Sequence, residues 1–515
     1  MRFRGKTNGD NMKVKLWVKS DLNGFFGLFT NCVTNFLVMA SLLTVVVGFP
    51  SDLVYGTILP ASGLSVFVIN CYYAFMAYKL AKKTGRTDVT AMPGGPSVTH
   101  MFLIVFMILG PVFWTTGDVD LAWCAGIAWC VIESVIEVVM SFVGKSIRER
   151  IPRVAMLGSL AGLSITYISL NPTFNTFAVP YIGLVALVII LMGFVGKIKM
   201  PGNLPVGLVA IIIATIIGWA TGYMKWDAVV ASFANVRFSI PLPSFARIAR
   251  GFAEASHFLV AAIPLGIYNA FETMDNLESA SVAGDDYPTQ EAMLNDGLTS
   301  FIAGLFGSPF PTACYIGQSG WKEAGAHIGY SILTGVSVLV LTFTGLFSLI
   351  LNVIPVVGIY PILIYIGITI TSQAFTSSDI KYVPAAIIAL LPHMADWSKN
   401  VADNALSAAG TDAATVGLPA LISGGVVYDG MSALGAGSII VGMILGSWMV
   451  FIMDHDWKKA IVTSGIGAVL SFFGFIHGSG SMGINVNPGM TAGYLLTIVV
   501  FLYYLLTEKK NSDQA

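Results

Sequence analysis

Apolar stretches follow one another along almost the whole chain, separated by short polar connections. A helix needs about 20 apolar residues to cross a bilayer. By that measure candidate spans fall near 25–48, 54–79, 96–113, 120–144, 153–170, 176–196, 205–223, 256–276, 289–306, 315–331, 331–353, 358–375, 381–396, 434–453, 459–477 and 487–507, several of them short. Two places break the apolar pattern in corresponding positions of the two halves. In the first, Thr87 to Ser97 gives a β-prone piece broken by Pro93, Gly94, Gly95 and Pro96 before a helix. In the second, Gly307 to Pro311 leads into Thr312, Ala313, Cys314 and Tyr315, and Gly317, Gln318, Ser319 and Gly320 open another helix. Matched interruptions of this kind point to a transporter built from inverted repeats. Two repeats of seven spans have odd parity and so opposite topology.

Composition agrees with this picture. Of 515 residues 55% are hydrophobic and 11% charged, with mean hydropathy +0.78. The expected fold is an all-α polytopic membrane protein: a seven-plus-seven inverted-repeat transporter with core and gate domains, β pieces before half helices in spans 3 and 10, and two extra C-terminal spans. The boundaries expected are 1–24 for an N-terminal segment, 25–223 for the first repeat, 224–255 for a loop with an interfacial helix, 256–453 for the second repeat, 454–507 for additional spans and 508–515 for a tail. Net charge is −1, and no basic stripe suits nucleic acid. Lys79, Lys82, Lys83 and Arg86, Lys145 to Arg153, Lys197 and Lys199, Lys458 and Lys459, and Lys509 and Lys510 fall on one side, with the basic N-terminus. The positive-inside rule then puts both termini in the cytoplasm, in a plasma or inner membrane.

Charge and amide groups inside apolar segments are the candidate chemistry, since facing lipid is costly. Glu272 lies about fifteen residues, or about 22 Å, beyond His257 in one apolar run, with Asp275 near it and Asn276 one turn on. Gln318 opens a helix after the second interruption. Glu133 and Glu137 stand one turn apart on a single face, where close carboxylates favour sharing a proton; they are candidates for proton coupling beside Glu272. Asn31 and Asn35 also share a face, as site residues or as interhelical hydrogen-bond partners. The six histidines do not cluster and the five cysteines lack metal spacing, so no metal and no cofactor is expected. Asp454, His455 and Asp456 read as a solvated turn. Catalytic motifs are missing, which counts against an enzyme.

Around these residues the chain resembles the nucleobase–cation symporter-2 family of xanthine, uracil and ascorbate permeases, near its uracil and adenine/guanine-hypoxanthine branches. The likeness rests on Phe271-Glu272-Thr273, on Asp296-Gly297-Leu298-Thr299-Ser300 through Gly307-Ser308, and on Thr312 and Tyr315 to Gln318. It is clear over about 255–330 and absent beyond about 430. The resemblance implies substrate between the third- and tenth-span half helices. Glu272 would accept ring N–H groups and Gln318 would supply a second side-chain contact, while Asn276, one turn from Glu272, either binds substrate or caps a helix end. Gly94, Gly95, Ser97, Tyr315 and Gly317 would complete the pocket. Asn276 stands where the uracil branch has a histidine, and Gln318 stands one residue further from Tyr315 than the family's glutamate does.

The reading is a secondary active permease for a purine, pyrimidine or similar heterocycle, driven by H⁺ or Na⁺ and compatible with a homodimer. The alternative is an anion transporter for sulfate, bicarbonate or a carboxylate on the same fold. A membrane-embedded enzyme or sensor is a further rival, without the residues to support it.

Overall fold

The computed structural model describes residues 14–97, 100–101, 104–204, 206–233, 236–255, 262–376, 379–478 and 482–512. His257 lies outside them. The protein is a mostly helical, polytopic integral membrane protein. Among the described residues six helices are long and apolar enough to span a bilayer: Asp21–Thr44, Ser51–Thr84, Val119–Arg148, Arg153–Ala178, Val356–Thr376 and Pro488–Glu508. Tyr428–Gly435 and Ser438–Met453, bent by 83°, could make a seventh. The apolar run at 315–331 is not a continuous rod. It holds a six-residue helix, Gln318–Glu323, entered through Gly317 at φ +130°, and then the start of the helix Gly329–Thr344. That φ is one that residues with a Cβ rarely adopt.

Elements used below are α1 (Asp21–Ser41), α2 (Leu59–Thr84), β1 (Gly94–Pro96), α3 (Val119–Arg148), α4 (Arg153–Leu163), α5 (Ala262–Val282), α6 (Thr289–Phe306), β2 (Thr312–Cys314), α7 (Gln318–Glu323), α8 (Gly329–Thr344) and α9 (Val383–Ala408). The chain divides into two compact units. The first comprises Met1–Val138, Pro172–Leu259 and Ser279–Ile366.

Within the first unit, β1 and β2 pair antiparallel, Gly94 opposite Cys314, Gly95 opposite Ala313 and Pro96 opposite Thr312. Proline rings at Pro93, Pro96, Pro309 and Pro311 remove amide donors and prevent a helix from running through. The Tyr315 N–H donates to the Pro93 carbonyl at 2.8 Å, and the Ser97 N–H donates to Pro311 at 3.0 Å, closing both ends of the ladder. Helices reach the ladder closely because glycines remove bulk. A Cβ on Gly27 of α1 would stand 2.0 Å from the Trp321 ring of α7, and one on Gly63 of α2 would stand 2.0 Å from Thr342 Oγ1 of α8. In a membrane, where apolar burial does not drive helices together, such small-residue contacts supply the packing.

The second unit comprises Val139–Asn171, Val260–Glu278 and Gly367–Ala515. Here α4, α9 and the helix Ser438–Met453 approach through small residues: a Cβ on Gly158 would lie 2.8 Å from Ala386 Cα, and one on Gly442 would lie 2.7 Å from the Ala389 carbonyl. A π-helical turn, Ser164–Leu170, follows α4. It presents the Tyr167 hydroxyl to Asp396 Oδ2 at 2.7 Å, while Asn400 Nδ2 donates to the same hydroxyl at 2.8 Å. The last helix leaves Leu495, Leu496, Val499, Val500 and Tyr503 exposed, as a lipid-facing surface should. Asp454 is held by Lys381 and Tyr382 on the exposed surface, in keeping with a solvated turn.

Residues 224–255 carry the short helix Trp226–Ser232 and the amphipathic helix Phe245–Glu254. Arg250 of the second helix donates to Asp118 Oδ2 and to Asp120 Oδ2, both at 2.6 Å. Phe245 projects outward, 68% exposed, beside this ionic seam, an arrangement suited to the membrane interface.

Two expectations follow. The Leu121 N–H and the Arg250 guanidinium hold the Asp118 carboxyl below the usual carboxylate range. A depressed carboxyl stabilises the fold above its unfolded pKa, and that contribution fades as pH falls through its folded pKa. Hydrogen exchange in Phe245–Glu254 should therefore quicken on acidification, and Asp118→Asn should flatten that pH dependence. Gly27→Val should cost about 1–3 kcal/mol through overpacking against Trp321, read as a lower melting temperature in detergent, and Trp321→Ala in the same chain should recover part of the loss.

Candidate functional site

The interruption after β1 is fixed by amide side chains from apolar helices. Asn70 of α2 donates from Nδ2 to the Gly94 carbonyl at 2.8 Å and accepts from the Gly94 N–H at 3.2 Å. Ser331 of α8 lies 2.9 Å from Asn70 Oδ1. Asn35 of α1 donates to the Tyr315 hydroxyl at 2.7 Å, and that hydroxyl donates to the Pro96 carbonyl at 2.6 Å. Asn31 Oδ1 lies 3.4 Å from Asn35 Nδ2. Gly95 has to be glycine, since a Cβ there would meet the Tyr315 ring at 2.3 Å. The structure thus brings together Asn31, Asn35, Gly94, Gly95, Ser97 and Tyr315, all from the first unit.

Gln318 and Gly317 stand on the other side of β2. The Gln318 amide donates to Asp285 Oδ2 at 2.8 Å and to the Thr90 carbonyl at 3.0 Å. Asp285, fully buried, is also bound by Lys322 Nζ at 2.6 Å and by Arg86 Nη1 at 3.1 Å, and it accepts from the Thr90 N–H at 3.0 Å. The donor end of Gln318 is therefore engaged inside the protein. Its Oε1 is buried with no hydrogen-bond partner among the described residues.

A second group of buried acids backs the ladder. Asp296 of α6 accepts from the Tyr73 hydroxyl and, at 3.2 Å, from the Cys314 N–H. Ser300, one turn further along α6, accepts from the Thr312 N–H at 3.1 Å, and its Oγ lies 3.3 Å from Glu137 Oε2. Glu133, one turn before Glu137 on α3, accepts from Trp129 Nε1 at 2.5 Å and faces His100 Nδ1 at 3.4 Å. His100 lies in the opening turn of the helical stretch that follows β1.

Glu272 and Asn276 belong to the second unit, on α5. Glu272 is buried, 8% exposed, and its backbone carbonyl accepts from Asn276 Nδ2 at 3.0 Å. Asp275 is fully enclosed, and neither oxygen has a hydrogen-bond partner among the described residues. Glu278 accepts from Arg148 at 2.8 Å and also from Arg153. No group of His, Cys, Asp and Glu able to hold a metal ion occurs among the described residues.

The sequence reading did not single out Asn70, Asp285 or a partner for Glu133. Asn70 could have been noticed as a lone amide in the run Leu64 to Ala77. The His100–Glu133 pairing leaves no local signal.

The paired interruptions, β1 against β2, stand in a polytopic helical membrane protein. Its similarity to known proteins is structural. The transmembrane domain of a cyanobacterium bicarbonate transporter, BicA, is similar at 14% identity and TM-score 0.38, over 72% of this chain and 95% of that one. SLC26A9 is similar at 12% identity and TM-score 0.38, over 74% of this chain and 62% of that one. No family model matches the chain, and no curated protein does. These findings correct the expected nucleobase–cation symporter-2 membership and the expected purine, uracil or xanthine transport: neither similar structure is a nucleobase permease.

Asn70→Val should leave the Gly94 N–H without its side-chain partner and the Gly94 carbonyl with only the Cys32 thiol at 4.0 Å. A loss of about 1–3 kcal/mol per orphaned buried group is expected, measured as a lower melting temperature and faster amide exchange at Gly94.

Proposed function

We propose that the chain is a secondary active transporter for a small anion such as bicarbonate, sulfate or a carboxylate, working by alternating access. The observation that carries this reading is the β1–β2 pairing of two broken helices. Irregular backbone inside a membrane protein belongs where it lines a cavity, and in inverted-repeat transporters such breaks form the substrate site. What the break can offer a ligand narrows the substrate. The donor atoms of Asn35, Asn70, Tyr315 and Gln318 are spent on the break itself or on Asp285. Broken helices as a rule turn backbone N–H groups toward the ligand, and such groups favour a compact anion. Glu272, Glu133 and Glu137 are then coupling carboxylates, with H⁺ the driving cation. Placement in a plasma or inner membrane with both termini cytoplasmic, and the repeat boundaries at 25–223 and 256–453, belong to the same proposal.

The test is uptake and counterflow of labelled sulfate, bicarbonate and succinate in proteoliposomes holding the full chain, with uracil and xanthine as controls. Saturable counterflow of at least one anion is expected, and Gly95→Val should bring it to background at an unchanged level of inserted protein. A chain that moves none of these anions would overturn the reading.

A further inference from the structure

Glu278, near the end of α5, is held by two guanidiniums. Arg148, the last residue of α3, donates from Nε to one carboxylate oxygen at 2.8 Å, and Arg153, the first residue of α4, donates to the other. Arg148 also reaches the Leu277 carbonyl through Nη2 at 3.2 Å. Asp275 lies one turn earlier on the same face of α5, in the opposite setting. It is completely buried, and among the described residues its two oxygens have neither a hydrogen-bond partner nor an ion pair. All of these residues belong to the second unit.

Two carboxyls and two guanidiniums thus share one end of the second unit, and both guanidiniums are on one carboxyl. An ionised carboxylate enclosed without a partner is strongly unfavourable, and such a group neutralises instead. The charged groups acting on Asp275 are Glu272 and Glu278, one turn to either side on α5, and Arg148 of α3. Of these only Arg148 is cationic, and its Nε is on Glu278. A proton is therefore the partner that the surroundings leave for Asp275. A metal ion fits less well, since no group of His, Cys, Asp and Glu able to hold one occurs among the described residues.

The same geometry supplies a second arrangement. Residues three apart on a helix have Cβ atoms about 5–6 Å apart, a distance that an arginine side chain covers by changing rotamer. Were Arg148 to move one turn to Asp275, Arg153 would still hold Glu278. The Arg153 side chain is 54% exposed and that of Arg148 10%, so the arginine that stays faces water and the one that moves is already buried beside both carboxyls.

We propose that Asp275 is a proton-binding site of this protein, and that Arg148 moves between Glu278 and Asp275 as the proton comes and goes. With the proton bound, Arg148 rests on Glu278, the arrangement in this structure. On release the Asp275 O–H bond breaks and the proton passes to water. The carboxylate left behind accepts from the Arg148 guanidinium, while Arg153 keeps Glu278 paired. Coupling of this exchange to anion movement rests on the transporter reading; the proton site itself does not.

Infrared spectroscopy of the full chain in lipid tests the site. At about pH 7 a carboxyl in water is ionised, so a protonated-carboxyl band there reports buried groups. The difference between wild type and Asp275→Asn, which keeps the shape of the neutral acid, isolates this one. That band should persist to higher pH in Arg148→Gln, which has no guanidinium to offer. It should vanish at lower pH in Glu278→Gln, where Arg148 is released to Asp275. No difference between wild type and Asp275→Asn anywhere over about pH 5 to 9, the range that buried carboxyls reach, overturns the proton site. A band with the wild-type pH course in both Arg148→Gln and Glu278→Gln overturns the exchange. For the coupling role, the ratio of labelled-sulfate accumulation with and without an inward proton gradient should exceed one in wild type and fall to one in Asp275→Asn; an unchanged ratio overturns that role. If the wild type moves none of the tested anions, the transporter reading fails, while the infrared result still decides whether Asp275 holds a proton.

Discussion

Three residues from each half of the chain, joined as a two-stranded ladder, are the constraint on which the first unit depends. Helix breaks expose N–H and C=O groups in a medium that offers no water to satisfy them. Here each break answers the other, Gly94 to Pro96 against Thr312 to Cys314, and the remaining groups are met by Asn70, Ser97 and Tyr315. Neither half could hold its interruption alone. Glycine stands where the surrounding helices meet close neighbours, at Gly27 and Gly63, and in the ladder itself at Gly95.

The interruptions were legible because proline and glycine act locally: a ring without an N–H or a residue without a Cβ declares itself wherever it stands. Asn31, Asn35 and Tyr315 could be guessed for the same reason, as polar groups in apolar company. The Asp285 cluster could not be read, because its partners Arg86 and Lys322 lie on segments remote in sequence and only folding brings them to one carboxylate. The length of the half helix was also hidden, since the candidate span runs on to 331 while the helix opened by Gly317 ends at Glu323.

The misassigned substrate has a physical explanation too. The residues that carried the likeness to nucleobase permeases include Asp296, Thr312 and Tyr315. In the structure, Asp296 holds the Cys314 N–H, Thr312 is bound by Ser300, and Tyr315 links Asn35 to Pro96. They build the break. A pattern made of such residues reports how the chain is interrupted and says little about a ligand, whereas Glu272 and Asn276 sit on a different helix in the other unit.

The wide turn Ser164–Leu170 places Tyr167 on Asp396 by carrying more residues per turn than the α-helix before it. Removing a single residue from it would restore ordinary winding and rotate everything beyond by about 100°, swinging the phenol away from its carboxylate. The number of residues in that turn, more than the identity of its side chains, thus decides where the phenol points.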